Sequence, residues 1–212
     1  MLWGTALNAV KISPGQPLMY LLAHTGITLG AAYALQKAAN CRPAGGLFSA
    51  GPQAATAVRE PLRVDYRFIV LGALLPDLID KPLGLILLPG VLANGRTFLH
   101  TLLFLALSML AALLIYRQQR RLWGIYIAFG VLIHFIMDAI WTDPVTFYWP
   151  FLGAFQTHPG ISAWILQSWI QSLIEESRLY IPETAGFLIL LFFTVRVIVQ
   201  RKVAAFILQG RL

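Results

Sequence analysis

Charge is what this sequence has least of. Of 212 residues only 12% are Asp, Glu, Lys or Arg, against about a quarter in soluble domains, and that excludes an ordinary soluble domain. Acidic residues are the scarcer kind, nine against 16 Lys and Arg, for a formal charge of +7. That sign raises nucleic acid as a partner. The basic residues, however, flank long apolar runs, the pattern of the positive-inside rule, and no nucleic-acid partner is expected. Cysteine is a single residue, Cys41, in a Gly/Pro-rich stretch, which excludes an internal disulfide and leaves the thiol without partner cysteines. The first residues lack a charged start, an apolar core and a small-residue cleavage site in that order, so no removable signal peptide is expected.

What is there is apolar: 58% of the chain, gathered into runs long enough for membrane insertion. Residues 1–16 read as a leader or surface segment. Residues 17–36 carry no formal charge and suit one crossing of a roughly 30 Å hydrocarbon layer. Lys37, Arg42, Arg59 and Arg63 mark a basic loop over 37–65. The next run, 68–76, is interrupted by Asp77-Leu78-Ile79-Asp80-Lys81-Pro82 before 83–93 resumes. Pro82 would kink a continuous helix, so a helix ending near Asp80 is predicted, followed by a re-entrant or interfacial piece lining a cavity. Runs at 98–116 and 122–141 are separated by Arg117, Arg120 and Arg121. Within 142–183, Ile161, Trp164, Ile165, Trp169, Ile170, Leu173 and Ile174 recur at helical spacing, which predicts an amphipathic helix at the interface. The last run, 184–200, ends among Arg196, Arg201 and Lys202.

The fold expectation is therefore all-α: a polytopic membrane helical bundle of about five transmembrane helices, with a re-entrant or interfacial segment and an amphipathic interfacial helix. The predicted organisation is a leader (1–16), a membrane core (17–152), an interfacial segment (153–183) and a last span with a basic tail (184–212). Basic loops at 37–67, 117–121 and 196–211, against an acidic connection at 142–183, predict the N-terminus outside and the C-terminus in the cytoplasm.

One stretch organises the chemistry. Residues 132–141 are apolar except for His134 and Asp138, whose spacing puts them on one helical face a turn apart. Ionisable groups in an apolar membrane helix are costly and mark functional sites by default. His24, Asp77, Asp80 and His100 are candidates to join them, and the predicted topology turns all six residues towards the outer side. Three histidines and three carboxylates make a common inventory for a zinc or a mixed dinuclear site, whose charge would offset the buried carboxylates. Bundles build such sites from inward-facing side chains, including acid–histidine pairs one turn apart. A bound metal lowers the pKa of its water and supplies hydroxide for hydrolysis. Asp80 or Asp138 is the candidate general base, and the planar fork of Arg96 suits a substrate phosphate.

Blander readings stand beside these. His134 and Asp138 would be a hydrogen-bonded pair locking two helices, and Asp77 and Asp80 a helix end neutralised by Lys81. His24 and His100 would be interfacial histidines, and Arg96 a snorkelling side chain. His158 reads as a surface residue, and Trp141 and Asp143 as interface anchors.

His24-x-Gly26, Pro76-Asp77-Leu78-Ile79-Asp80, Arg96-x-x-x-His100-Thr101 and His134-x-x-x-Asp138 with Pro144 and Trp149-Pro150 together resemble the YdjM family over about residues 20–152. The resemblance implies an inner-membrane, multi-pass protein with an inferred metal-dependent hydrolase activity. The sequence departs from that family's His-Arg-Gly-x-Thr-His-Ser at Gly95, in the place of the first histidine, and at Thr97, in the place of the glycine. The departure leaves the metal number open. The functional expectation is a membrane-bound, metal-dependent hydrolase of an ester or phosphoester, lipid-borne because the site lies near headgroup depth. Its expected partners are membrane lipids and that lipid or phosphoester substrate. The rival expectations are an ion-coupled transporter, whose ionisable groups would line the full depth of a pathway, and a non-catalytic membrane scaffold.

Overall fold

The computed structural model describes residues 21–41, 61–157 and 177–210. The leader at 1–16, the middle of the basic loop and most of the expected interfacial helix, with His158, lie outside the described residues. Among the described residues all regular structure is helical: α1 (Leu21–Cys41), α2 (Tyr66–Lys81), a π-helical turn (Pro82–Leu87), a 3-10 turn (Phe98–His100), α3 (Leu102–Gln119), α4 (Trp123–Met137), a 3-10 turn (Ile140–Thr142), α5 (Pro144–Phe147), α6 (Ser177–Val199) and α7 (Val203–Gln209).

Local chemistry sets the ends of these helices. Asp65 caps α2 by accepting from Arg67 N at 3.1 Å, and Thr101 caps α3 by accepting from Phe104 N at 3.1 Å. Asp143 does the same for α5 through Thr146 N. Each satisfies one of the orphan N–H groups of a first turn. At its far end α3 closes on Arg120 in the left-handed region, whose N–H donates to the Tyr116 carbonyl. α2 stops at Lys81, and the chain turns through the π-helical segment and comes back to His100 at the same end of the bundle. The segment from Pro82 to Gly95 holds no charged residue, and its Ile86, Leu87 and Val91 are each about 70% exposed. α1 runs on past Gln36 to Cys41, so the start of the expected basic loop is helical.

Among the described residues two helical stretches are long and apolar enough to cross a membrane, Leu102–Gln119 and Tyr180–Val199. The expectation was about five. α4 is apolar but has only 15 residues, because the chain bends away after Met137 through Ala139, at φ 46°. The outward sides of α3 and α6 are apolar, with Leu107, Leu110 and Leu114 on one and Leu188, Leu191 and Ile198 on the other exposed.

α2 packs along α4, α4 also meets α3, and α1 bridges α2 and α6. Glycine makes the closest crossings. A side chain at Gly72 would run into the backbone of Ile127, and one at Gly130 into the backbone of Ile69 and Ala73. Small residues at such crossings let helices meet main chain to main chain, as membrane bundles favour. An apolar core of Leu29, Ala32, Val64, Tyr66, Ile69 and Phe193 fills one region, and Leu105, Val131, Phe135 and Ile140 fill another. The last helix closes the start of α2: Tyr66 N donates to Gly210 O at 3.0 Å, and Arg67 Nη1 to Ile207 O at 2.8 Å.

Helix direction then sorts the charges. His24 begins α1, Asp77 and Asp80 end α2, His100 precedes α3, and His134 and Asp138 end α4. Lys37, Arg67, Arg117 and Arg196 occupy the opposite ends of α1, α2, α3 and α6.

Candidate metal centre

The glycine-mediated contact of α2 with α4 brings the Ala73 carbonyl against His134. Nδ1–H of His134 donates to that carbonyl at 2.8 Å, and since a carbonyl only accepts, the ring's other nitrogen, Nε2, carries the lone pair. The ring is fully buried, so Nε2 is held facing the cluster.

Asp80 does the corresponding work for His100. Its Oδ2 accepts from the backbone N–H groups of Thr97 and Leu99, both at 2.9 Å, and thereby folds the turn that carries His100. The same oxygen lies 2.7 Å from His100 Nδ1. His100 Nε2 is left 3.2 Å from His134 Nε2, 3.5 Å from Asp77 Oδ1 and 3.7 Å from Asp138 Oδ2. Asp80 Oδ1 is buried and without a hydrogen-bond partner.

Asp138 closes the other side. Its N–H continues α4 by donating to the His134 carbonyl, which keeps the acid one turn beyond the histidine. His24 Nε2 lies 3.0 Å from Oδ1. Arg96 Nη2 lies 2.8 Å from Oδ2, as an ion pair rather than an aligned hydrogen bond. Asp77, at the rim, pairs with Lys81 on its own helix.

All six sequence-predicted residues, and Arg96 with them, therefore meet in one connected cluster. Two overlapping groups have ligand atoms within 4.8 Å of one another: His24, His134 and Asp138, and Asp77, His100 and His134. The donor set of imidazole nitrogens and carboxylate oxygens fits a divalent transition metal. So does the face-to-face placement of two imidazole lone pairs, which repel unless a cation lies between or beside them. Asp80 stands one bond further out, in the carboxylate–histidine arrangement that supports metal ligands.

Several contributors carried no signal of their own. Asn94, fully buried, accepts from Arg96 N at 2.9 Å through Oδ1 and donates through Nδ2 to Gln156 O at 2.9 Å. The Ala73 carbonyl and the Thr97 and Leu99 N–H groups are main chain, which no side-chain pattern reveals. Gly95 lies beside the cluster rather than within it. A Cβ there would sit at ordinary contact, 3.5 Å from Lys81 Cγ and 3.6 Å from Leu85 Cδ1.

A family model described as YdjM inner membrane protein matches residues 19–206. No curated protein and no solved structure matches the chain.

Proposed function

This chain belongs to the YdjM family of inner membrane proteins, and on that premise we propose that its cluster is the metal centre of a membrane-bound hydrolase acting on an ester or phosphoester. The observation that carries the reading is the pair of buried imidazoles, each with Nδ1 committed, presenting Nε2 to one another at 3.2 Å between two carboxylates. Zinc is the first candidate, for its affinity for nitrogen and carboxylate ligands.

His134 belongs to both candidate ligand groups and has one nitrogen to offer, because Nδ1 is engaged by Ala73. This supports one ion rather than two, with His134 as its fixed ligand and His24, His100, Asp77 and Asp138 as the set around it. Asp80 is better suited to hold the proton at His100 Nδ1 than to coordinate. A bound divalent ion would lower the pKa of its water towards neutrality and polarise the substrate's phosphoryl or carbonyl oxygen. Asp77, the least buried of the three carboxylates, would be the one to take a proton from an attacking water if it is not itself a ligand. Arg96 compensates the buried charge of Asp138 and would share its guanidinium with a substrate anion.

The substrate class is read from depth. Leu78 and Ile79 lie between Asp77 and Asp80, and Ile136 lies between His134 and Asp138; all three are more than 40% exposed. An apolar outer surface at the level of the cluster favours a substrate delivered by the bilayer, a lipid-borne ester or phosphoester. The same reading takes about five crossings for the chain, with its basic helix ends in the cytoplasm and the cluster towards the outer face. A transporter using these residues would spread them through the depth of the bundle; they gather at one end.

The deciding experiment is metal analysis of the purified protein beside the His134→Ala, Asp138→Ala double variant. Metal in the wild type that is lost in the variant supports the centre; equally negligible metal in both sinks it.

A further inference from the structure

α6 contributes none of the residues above, yet it carries a buried acid at the cluster's end of the bundle. Glu183 is 9% exposed, and its Oε2 accepts from the backbone N–H groups of Leu22 at 3.0 Å and Ala23 at 3.1 Å. N–H groups in the first turn of a helix lack intrahelical acceptors, and a carboxylate there also complements the helix dipole. The acceptor in this case comes from a residue 160 positions further along the chain.

The same turn is gripped by main-chain packing. A side chain at Gly26 would enter the backbone of Gly186, and one at Gly186 would enter the backbone of Leu22 and Ala23. One turn of α6, from Glu183 to Gly186, thus holds one turn of α1, from Leu22 to Gly26. His24 stands in the middle of that turn, with Nε2 3.0 Å from Asp138. A slip of α1 by one residue is a slide of about 1.5 Å with a rotation of about 100°, enough to break that contact.

We propose that Glu183 is a positioning residue of the centre: its two hydrogen bonds set the height and rotation of the first turn of α1 and so place His24 against Asp138. The glycine contact alone fixes how near the helices approach. Arg196 Nη1, donating to Tyr33 Oη at 2.8 Å, ties the far part of the same two helices, and the two bonds to Glu183 fix the turn that carries His24. The consequence for metal affinity rests on the metal reading above; the positioning of the turn does not.

The test uses the full chain in lipid nanodiscs, with cobalt(II) alone as probe. Glu183→Ala should weaken cobalt binding by about 10- to 100-fold, the range for groups that support metal ligands, and alter the cobalt absorption spectrum as His24→Ala does. Glu183→Gln keeps an oxygen for both N–H groups and should stay close to wild type. The His24→Ala, Glu183→Ala double variant should bind no worse than His24→Ala, since the acid acts through the histidine. Additive losses, or a glutamine variant as weak as the alanine one, would overturn the proposal. If the wild type binds no cobalt, the metal reading fails and the proposal is judged by hydrogen exchange at residues 22–24. Faster exchange in Glu183→Ala, restored in Glu183→Gln, upholds it; unchanged exchange overturns it.

Discussion

His100 and His134 face each other through their Nε2 atoms across 3.2 Å, and neither ring is at liberty to turn away. Asp80 holds Nδ1 of the first at 2.7 Å, and the carbonyl of Ala73 holds Nδ1 of the second at 2.8 Å. Two neutral rings in these tautomers set lone pair against lone pair in a site shut off from water. Such a pair is stable with a cation for company, either a proton shared between the nitrogens or a metal ion. A shared proton would leave the pair a helix lock, one ring donating to the other; a metal ion in its place would make it a centre.

The first expectation concerns stoichiometry. Equilibrium dialysis of the purified chain against zinc should give one ion per chain, and His134→Ala should abolish tight binding. Two ions per chain would contradict the single ligand nitrogen available on His134.

Asp80→Asn tests the supporting carboxylate. The amide can still approach His100 Nδ1 but no longer carries a charge to strengthen the ring as a ligand. Zinc affinity should fall about 10- to 100-fold with the stoichiometry unchanged. Loss of the ion altogether would make Asp80 a ligand.

Arg96→Met leaves Asp138 buried beside His24 without its guanidinium. Removing one partner of a buried pair costs about 3–5 kcal/mol, so thermal unfolding in detergent should shift strongly downward. Arg96→Lys should recover part of the loss, because the ammonium restores the charge but not the planar fork. An unshifted transition in Arg96→Met would show that the pair at 2.8 Å contributes nothing to stability.

Gly130→Val probes the crossing that brings Ala73 to His134. The new side chain would meet the backbone of Ile69 and Ala73, and overpacking costs about 1–3 kcal/mol even where side chains can yield. The expected outcome is a destabilised protein whose remaining folded fraction binds zinc poorly, read by dialysis beside the unfolding curve. Normal affinity in that fraction would separate the crossing from the site.

Orientation is open to a direct measurement. A reporter fused after Leu212 should be active in the cytoplasm, as the basic ends of the helices predict. Activity on the outer side would invert the bundle and put the cluster at the cytoplasmic face.

Composition and run length by themselves determined that the chain is helical and apolar, because a backbone in lipid must satisfy its own polar groups and the helix does so within one segment. The break after α2 was legible too, in two aspartates and a proline that a continuous span would hold at depth. The six ionisable residues stood out because such groups are costly in apolar surroundings. Which of them touch was another matter. Helical spacing puts His134 and Asp138 on one face, but the approach of α2 to α4 depends on Gly72 and Gly130 meeting opposing backbone, a long-range fit that no local pattern encodes. Among the described residues two helices are long and apolar enough to cross; the run at 122–141 is not one of them, because the chain bends at Ala139 and α4 stops short. Tertiary structure alone decided the division of labour. Asp77 and Asp80 look alike in sequence, yet one faces His100 Nε2 and the other His100 Nδ1, because the turn at Thr97 and Leu99 gives its N–H groups to Asp80.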